Sequence, residues 1–266
     1  MPDRILITGS SSGIGEAFAR EYARRGNDLI LLARREQKLE ALGEEFRDKY
    51  GIVVNILAID LSSPDAPDSV LDYLREKELK VDVLVNNAGY GVPGTFLDNV
   101  WEVHRASNQL MVTSVAELTR ALLVNMVESK HGAIINVASI AGLIPASAGH
   151  TLYGAMKAWM IRFSESLHDE LLPHQVKVLA VCPGFTYSEF HDVTGTRANV
   201  SKLPKIFWMS AEDLVTQSLK ALENAGEPVF VPGYFNKFLV LLNKYLPVSL
   251  ARKLIKCNAS FARNVD

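Results

Sequence analysis

Cysteine is nearly missing. Two residues, Cys182 and Cys257, serve 266 positions, too few to suggest a disulfide framework or a metal site. Cys182 closes an apolar run and reads as a buried, inert thiol. A surplus of one charge is missing too. The 28 basic and 30 acidic residues leave a net charge of −2 at pH 7, so there is no electrostatic case for a nucleic-acid partner. No uninterrupted apolar stretch reaches the ~20 residues of a bilayer span. Met1-Pro2-Asp3-Arg4 leads straight into a strand-like run, without the charged and apolar regions of a signal peptide. A cytoplasmic, reducing setting is therefore the default expectation. There is also no internal repeat, low-complexity tract or interdomain linker. The 266 residues are expected to form a single α/β domain.

What is present is an alternation of short apolar runs with helical patterns. Strands are expected at Arg4–Thr8, Asp28–Ala33, Ile52–Ile59, Val81–Val85, Ala133–Val137, Val176–Val181 and Pro228–Val231. Helices are expected over about Gly13–Arg25, Arg34–Tyr50, Asp68–Lys77, Val100–Val127 and from Ser147 to about Leu171. Pro64 and Pro67 mark the turn before the third of these. Such alternation predicts a doubly wound, Rossmann-like parallel sheet of about seven strands in three α/β/α layers.

The strand ends carry the chemistry. The first feeds Thr8-Gly9-Ser10-Ser11-Ser12-Gly13-Ile14-Gly15, a glycine-rich turn into a helix whose free N–H groups would face a phosphate. The second ends Ala33-Arg34-Arg35. A carboxylate there would bind a ribose 2′-hydroxyl, whereas a guanidinium suits a 2′-phosphate, which favours NADP over NAD. The alternative is that both arginines simply begin a solvated helix. The third ends at Asp60-Leu61, where the carboxylate could contact an adenine amino group or cap the next helix. Asn86-Asn87-Ala88-Gly89 follows the fourth strand and could admit a cofactor against the backbone, or be a polar turn. Ser139 follows the fifth strand and Pro183-Gly184 the sixth, the end of such sheets where ligands bind. Tyr153 and Lys157 stand four apart on one helix face. A phenol has a free pKa of about 10, and a neighbouring ammonium lowers it. Tyr153 could therefore be a general acid/base near neutral pH, although Y-x-x-x-K pairs also arise by chance.

Taken together, Thr8–Gly15, Asp60, Asn86–Gly89, Ser139, Tyr153/Lys157 and Pro183-Gly184 resemble the short-chain dehydrogenase/reductase family in its compact single-domain branch. The likeness covers about residues 4–233. It implies that Ser139 holds a carbonyl or hydroxyl oxygen and that Tyr153 exchanges a proton with it. Lys157 would bind the nicotinamide ribose and assist Tyr153. It further implies NADP(H) contacts from Gly9, Ser11, Ser12, Gly13, Ile14, Gly15, Arg34, Arg35, Asp60, Leu61, Asn87, Ala88, Gly89, Tyr153, Lys157, Pro183, Gly184 and Thr186, and no metal. Homo-oligomers are common among such relatives. Two positions depart from the pattern. The usual asparagine of the long helix falls at Met111, whose thioether cannot replace an amide. Asn108 or a backbone carbonyl could stand in, and a catalytically impaired NADP-binding regulator or scaffold is the alternative function. The Ser139-to-Tyr153 spacing is also one residue longer than expected, which a loop near Ala146–His150 would absorb.

Residues 185–209 are expected to cover the substrate as a lid. Phe185, Tyr187, Phe190, Phe207, Trp208 and Met209 suit a small apolar carbonyl or alcohol, or pack the lid onto the body. Residues 234–266 read as a C-terminal helical extension. Its Tyr234–Ile255 part is apolar with lysines at the margins and is broken at Pro247. Packing against the body or another subunit is favoured over peripheral membrane contact through 234–256.

Overall fold

A computed structural model describes residues 2–146, 148–190, 201, 203–224, 226–247 and 249–253. Seven parallel strands form the central sheet: β1 (Arg4–Thr8), β2 (Asp28–Ala33), β3 (Val54–Ala58), β4 (Val83–Asn86), β5 (Gly132–Val137), β6 (Val176–Val181) and β9 (Val229–Phe230). Their order is β3-β2-β1-β4-β5-β6-β9. Successive side chains alternate between faces. Ile5, Ile7, Leu29 and Leu31 enter one core, while Leu6, Ile30 and Leu32 enter the other. All seven are fully buried. Both faces are thus covered, which is why the strands read as continuous apolar runs rather than as alternating ones.

Helices α1 (Gly13–Arg24), α2 (Glu36–Tyr50) and α7 (Ala211–Glu223) cover the first face. Helices α3 (Ala66–Glu76), α4 (Trp101–Asn108), α5 (Ser114–Ser129) and α6 (Thr151–Leu171) belong to the other side. Pro67 lies within the first turn of α3, where its missing N–H costs nothing, not before the helix. Between α4 and α5 the chain stays helical but widens into a π-helical turn over Gln109–Thr113. The whole rod, Trp101–Ser129, has the length and hydropathy of a bilayer span. Half of its apolar window is buried in the fold, and Leu110, Leu118, Leu122 and Met126 belong to the second core, so it packs as a core helix here.

A small second sheet, β7 (Phe185–Thr186) with β8 (Trp208–Met209), lies in the expected lid. Strands this short leave little pattern in a sequence. Residues 191–200 of the lid, Ser147, Ile255, Lys256 and Cys257 lie outside the described residues. Helix α8 (Tyr234–Tyr245) ends with Leu246 in extended backbone, as expected for the residue before Pro247. The chain is helical again over 249–253.

Candidate active site

The carboxyl ends of β1 and β4 are stitched to each other. Thr8 Oγ1 accepts from the Asn87 and Ala88 amides at 2.9 and 3.0 Å and donates to the Val85 carbonyl. Asn87 Nδ2 donates to the carbonyls of Thr8 and Gly9. A Cβ on Gly9 would stand 2.9 Å from Ala88 Cα, and one on Gly15 would collide with the Gly9 carbonyl. Gly9 also has φ of +65°, so both positions need glycine. Ile14 turns its side chain into the first core and offers only backbone to a ligand. Ser12 precedes α1 with no side-chain cap bond, leaving the first-turn amides for an anion.

Arg35, more than Arg34, reaches this turn. Its guanidinium donates to Ser11 Oγ at 2.9 Å and Ser12 Oγ at 2.7 Å, and to Glu189 at 2.6 Å. Lys38 holds the other Glu189 oxygen at 2.9 Å. Hydrogen bonds from Lys38 and Arg35 bring the Glu189 carboxyl down to a pKa of about 2. Arg34 is exposed and stands 3.7 Å from Asp60. Asp60 accepts from the Ser62 amide and hydroxyl, so it caps its own turn and not α3. Burial pushes its carboxyl up, but Ser62 and Arg34 outweigh this and hold it low. Leu61 is buried, with its carbonyl taken by Ser114 Oγ at 2.8 Å.

Ser139 follows β5 on a turn that packs against α6, the helix of Tyr153 and Lys157. Ser139 Oγ accepts from the Ala141 amide at 3.1 Å and opens the 3-10 turn Ile140–Gly142. A Cβ on Gly142 would come within 2.7 Å of the α6 backbone at Ala158 and Lys157. The turn therefore lies directly on α6, which carries Tyr153. Lys157 is 4% exposed. Its Nζ donates to the Val137 carbonyl at 2.6 Å and lies 5.7 Å from the centre of the Tyr153 ring. Burial lowers its pKa to about 8. A phenol beside a buried ammonium, next to a strand-end hydroxyl, can exchange a proton with a bound oxygen while the serine holds it.

A sequence profile of the short chain dehydrogenase family matches residues 3–198. The chain belongs to this family. The very-long-chain 3-oxoacyl-CoA reductase of Mus musculus is 30% identical over 265 residues, spanning 97% of this chain and 80% of the relative. A sulfoacetaldehyde reductase of Chromohalobacter salexigens is 36% identical over 195 residues, 71% of this chain and 75% of that one. A short-chain dehydrogenase of Sphingobium yanoikuyae, solved with NADPH, superposes with a TM-score of 0.80 at 33% identity. That superposition covers 93% of this chain and 97% of the other.

In this short-chain dehydrogenase, Met111 lies beside Gly89 and Lys157. Its Sδ would be 3.0 Å from a Cβ on Gly89, and Lys157 Nζ 3.7 Å from the same point. Met111 is fully buried. Asn108 does not take its place. It is exposed at the end of α4, because the π-helical turn beginning at the next residue breaks the α-helical register that would align positions three apart. The longer Ser139–Tyr153 spacing is absorbed before α6, which begins at Thr151 and not near Ser147.

Pro183 accepts the Ile140 amide at 3.0 Å. The open side of Gly184 is filled by Asn236 of α8, so this glycine serves packing. Thr186 is buried, with its hydroxyl turned back to the Gly184 carbonyl at 3.3 Å. Among the lid aromatics, Tyr187 stacks on Trp208 with ring centres 4.8 Å apart, Phe185 lies tilted against Trp208 at 5.6 Å, and Phe207 meets Phe235 edge-on. Phe190 instead faces Tyr153 at 5.6 Å. Three of the five rings thus pack the lid within itself, one ties it to α8, and one borders Tyr153.

Several contributors had no signal in the sequence reading. Glu189 and Lys38 are 151 positions apart. A buried relay of amides and hydroxyls runs from Thr119 through Asn86 and Asn136 to Ser164 and braces β4, α5, β5 and α6. The paired asparagines hinted at its first member only.

Proposed function

We propose that this short-chain dehydrogenase is an NADP(H)-dependent oxidoreductase that interconverts an apolar carbonyl compound and its secondary alcohol. The observation that carries this reading is the buried Lys157 ammonium beside the Tyr153 ring, with the turn that Ser139 opens packed on the same helix. The glycine turn before α1 fits a dinucleotide phosphate, because no side chain caps the first-turn amides. NADP(H), once bound, supplies or takes the hydride. Ser139 orients the substrate oxygen, Tyr153 gives or accepts its proton, and Lys157 favours the phenolate and binds the ribose. Arg34 and Arg35 meet the 2′-phosphate. Reduction is the favoured direction, since both named relatives are carbonyl reductases. Phe190 beside Tyr153 supports an apolar substrate.

The test is oxidation of NADPH against a panel of lipophilic ketones and aldehydes. Tyr153-dependent turnover supports the reading, and none across the panel argues for a regulator or scaffold. Cofactor choice is checked separately. Arg35→Asp is expected to raise the KM for NADPH roughly 10- to 100-fold, the worth of one charge-assisted contact, with little change for NADH. An unaltered NADPH-to-NADH ratio would remove Arg35 from the cofactor site. Glu189→Gln frees the anion-binding groups of Arg35 and Lys38. NADPH should then bind up to about fivefold more tightly, in keeping with a surface ion pair, and NADH unchanged, as read by fluorescence titration.

A further inference from the structure

The outward face of α8 carries an apolar stripe that no described residue covers. Tyr234, Phe238, Leu241 and Tyr245 share one helix face by their spacing and are 92%, 57%, 54% and 76% exposed. The opposite side is already docked. Asn236 is buried against Gly184 and donates to the Pro232 carbonyl, and Phe235 meets Phe207. The helix therefore cannot turn its stripe inward without giving up these contacts. Ile206, 69% exposed, lies on the turn Lys205–Phe207 beside α8 and adds to the apolar area. Lys237 and Lys244 border the stripe on one side. The charge is one-sided. Residues 228–266 hold six basic side chains and a single acid, Asp266, in a chain whose net charge is −2.

We propose that this face of α8 docks the protein on the surface of an anionic lipid bilayer. Tyrosine, phenylalanine and leucine enter the interface between headgroups and acyl chains, while the lysine ammonium groups reach the lipid phosphates. The cations draw the segment to a negative surface and repel a positive one. A second copy of the chain is a poorer occupant, because a two-fold contact would set the same cations against each other. Docking would bring the Gly184 corner, against which α8 packs, towards the bilayer. The proposal rests on surface features alone and stands whatever reaction the enzyme performs.

Co-sedimentation of the full chain with vesicles tests it. The protein is expected to sediment with vesicles containing phosphatidylserine, to release in high salt, and to bind phosphatidylcholine vesicles more weakly. The double variant Phe238→Glu with Leu241→Glu should lower the partition coefficient on both by about tenfold or more, from the lost apolar burial. The double variant Lys237→Ala with Lys244→Ala should lower it roughly tenfold on phosphatidylserine only. This second pair leaves the apolar stripe intact, and circular dichroism melting checks the fold of both. A wild-type chain that stays in the supernatant with both vesicle types overturns the proposal. So does unchanged vesicle binding in both variants, which would place the contact elsewhere. A dimer in gel filtration that the glutamates dissociate, without vesicle binding by the wild type, would assign the face to a second copy.

Discussion

Tyr153→Phe should lower carbonyl turnover by roughly 10²- to 10⁴-fold, the usual worth of a positioned acid/base, while NADPH binds about as before. The substitution removes one oxygen and keeps the ring. The contact with Phe190 at 5.6 Å and the packing of the ring on the second core both survive, so the fold and the glycine turn at Gly9 are left alone. The loss should appear in kcat as well as in kcat/KM, because the proton moves only in the reacting complex. Steady-state oxidation of NADPH gives the rate and fluorescence titration the affinity. Undiminished turnover would refute the assignment of Tyr153.

Lys157→Met separates catalysis from stability. Turnover should fall by two or more orders of magnitude, since both the proposed ribose contact and the charge beside Tyr153 go. Stability should behave otherwise. Burial lowers the lysine from 10.5 to about 8, so between those values the unfolded chain holds more protons than the folded one. Stability from this group therefore rises with pH through that window. At neutral pH the buried charge costs about 3 kcal/mol. Methionine removes the charge but leaves the Val137 carbonyl without its donor, a loss of about 1–3 kcal/mol. The two nearly cancel, so the melting temperature at pH 7 should change little. The decisive readout is the slope. Wild-type stability, less that of the variant, should rise by about 3 kcal/mol between pH 8 and 10.5. The Cys182 thiol, pushed up to about 12 by burial, opposes this rise but is common to both proteins. Parallel denaturation profiles across that range would show that Lys157 is not buried as a cation.

The parts of this protein legible in its sequence are those set by neighbours along the chain. β1, β2 and β6 begin and end at the residues expected, because each is a buried apolar run closed by glycine, charge or proline. The glycine turn, Ser139, Tyr153 and Lys157 were visible as spacings. What escaped depends on residues distant in the chain. Arg35 outreaches Arg34 because Ser11, Ser12 and Glu189 surround it. Met111 could be counted to, but the π-helical turn that holds it has no composition of its own. The tail read as amphipathic, yet only the contacts of Phe235 and Asn236 show that the large apolar stripe faces outward.

The sheet order has a consequence for biosynthesis. β1 leaves the ribosome before both β2 and β4 but sits between them, and the bond from Thr8 to Val85 joins residues 77 apart. At roughly 5–20 residues per second, synthesis takes several seconds to span that gap. During that interval Ile5–Ile7 present one open, apolar strand edge, the feature most prone to pair with another chain. The strand that later carries the glycine turn is thus an exposed liability of the nascent chain until β4 arrives.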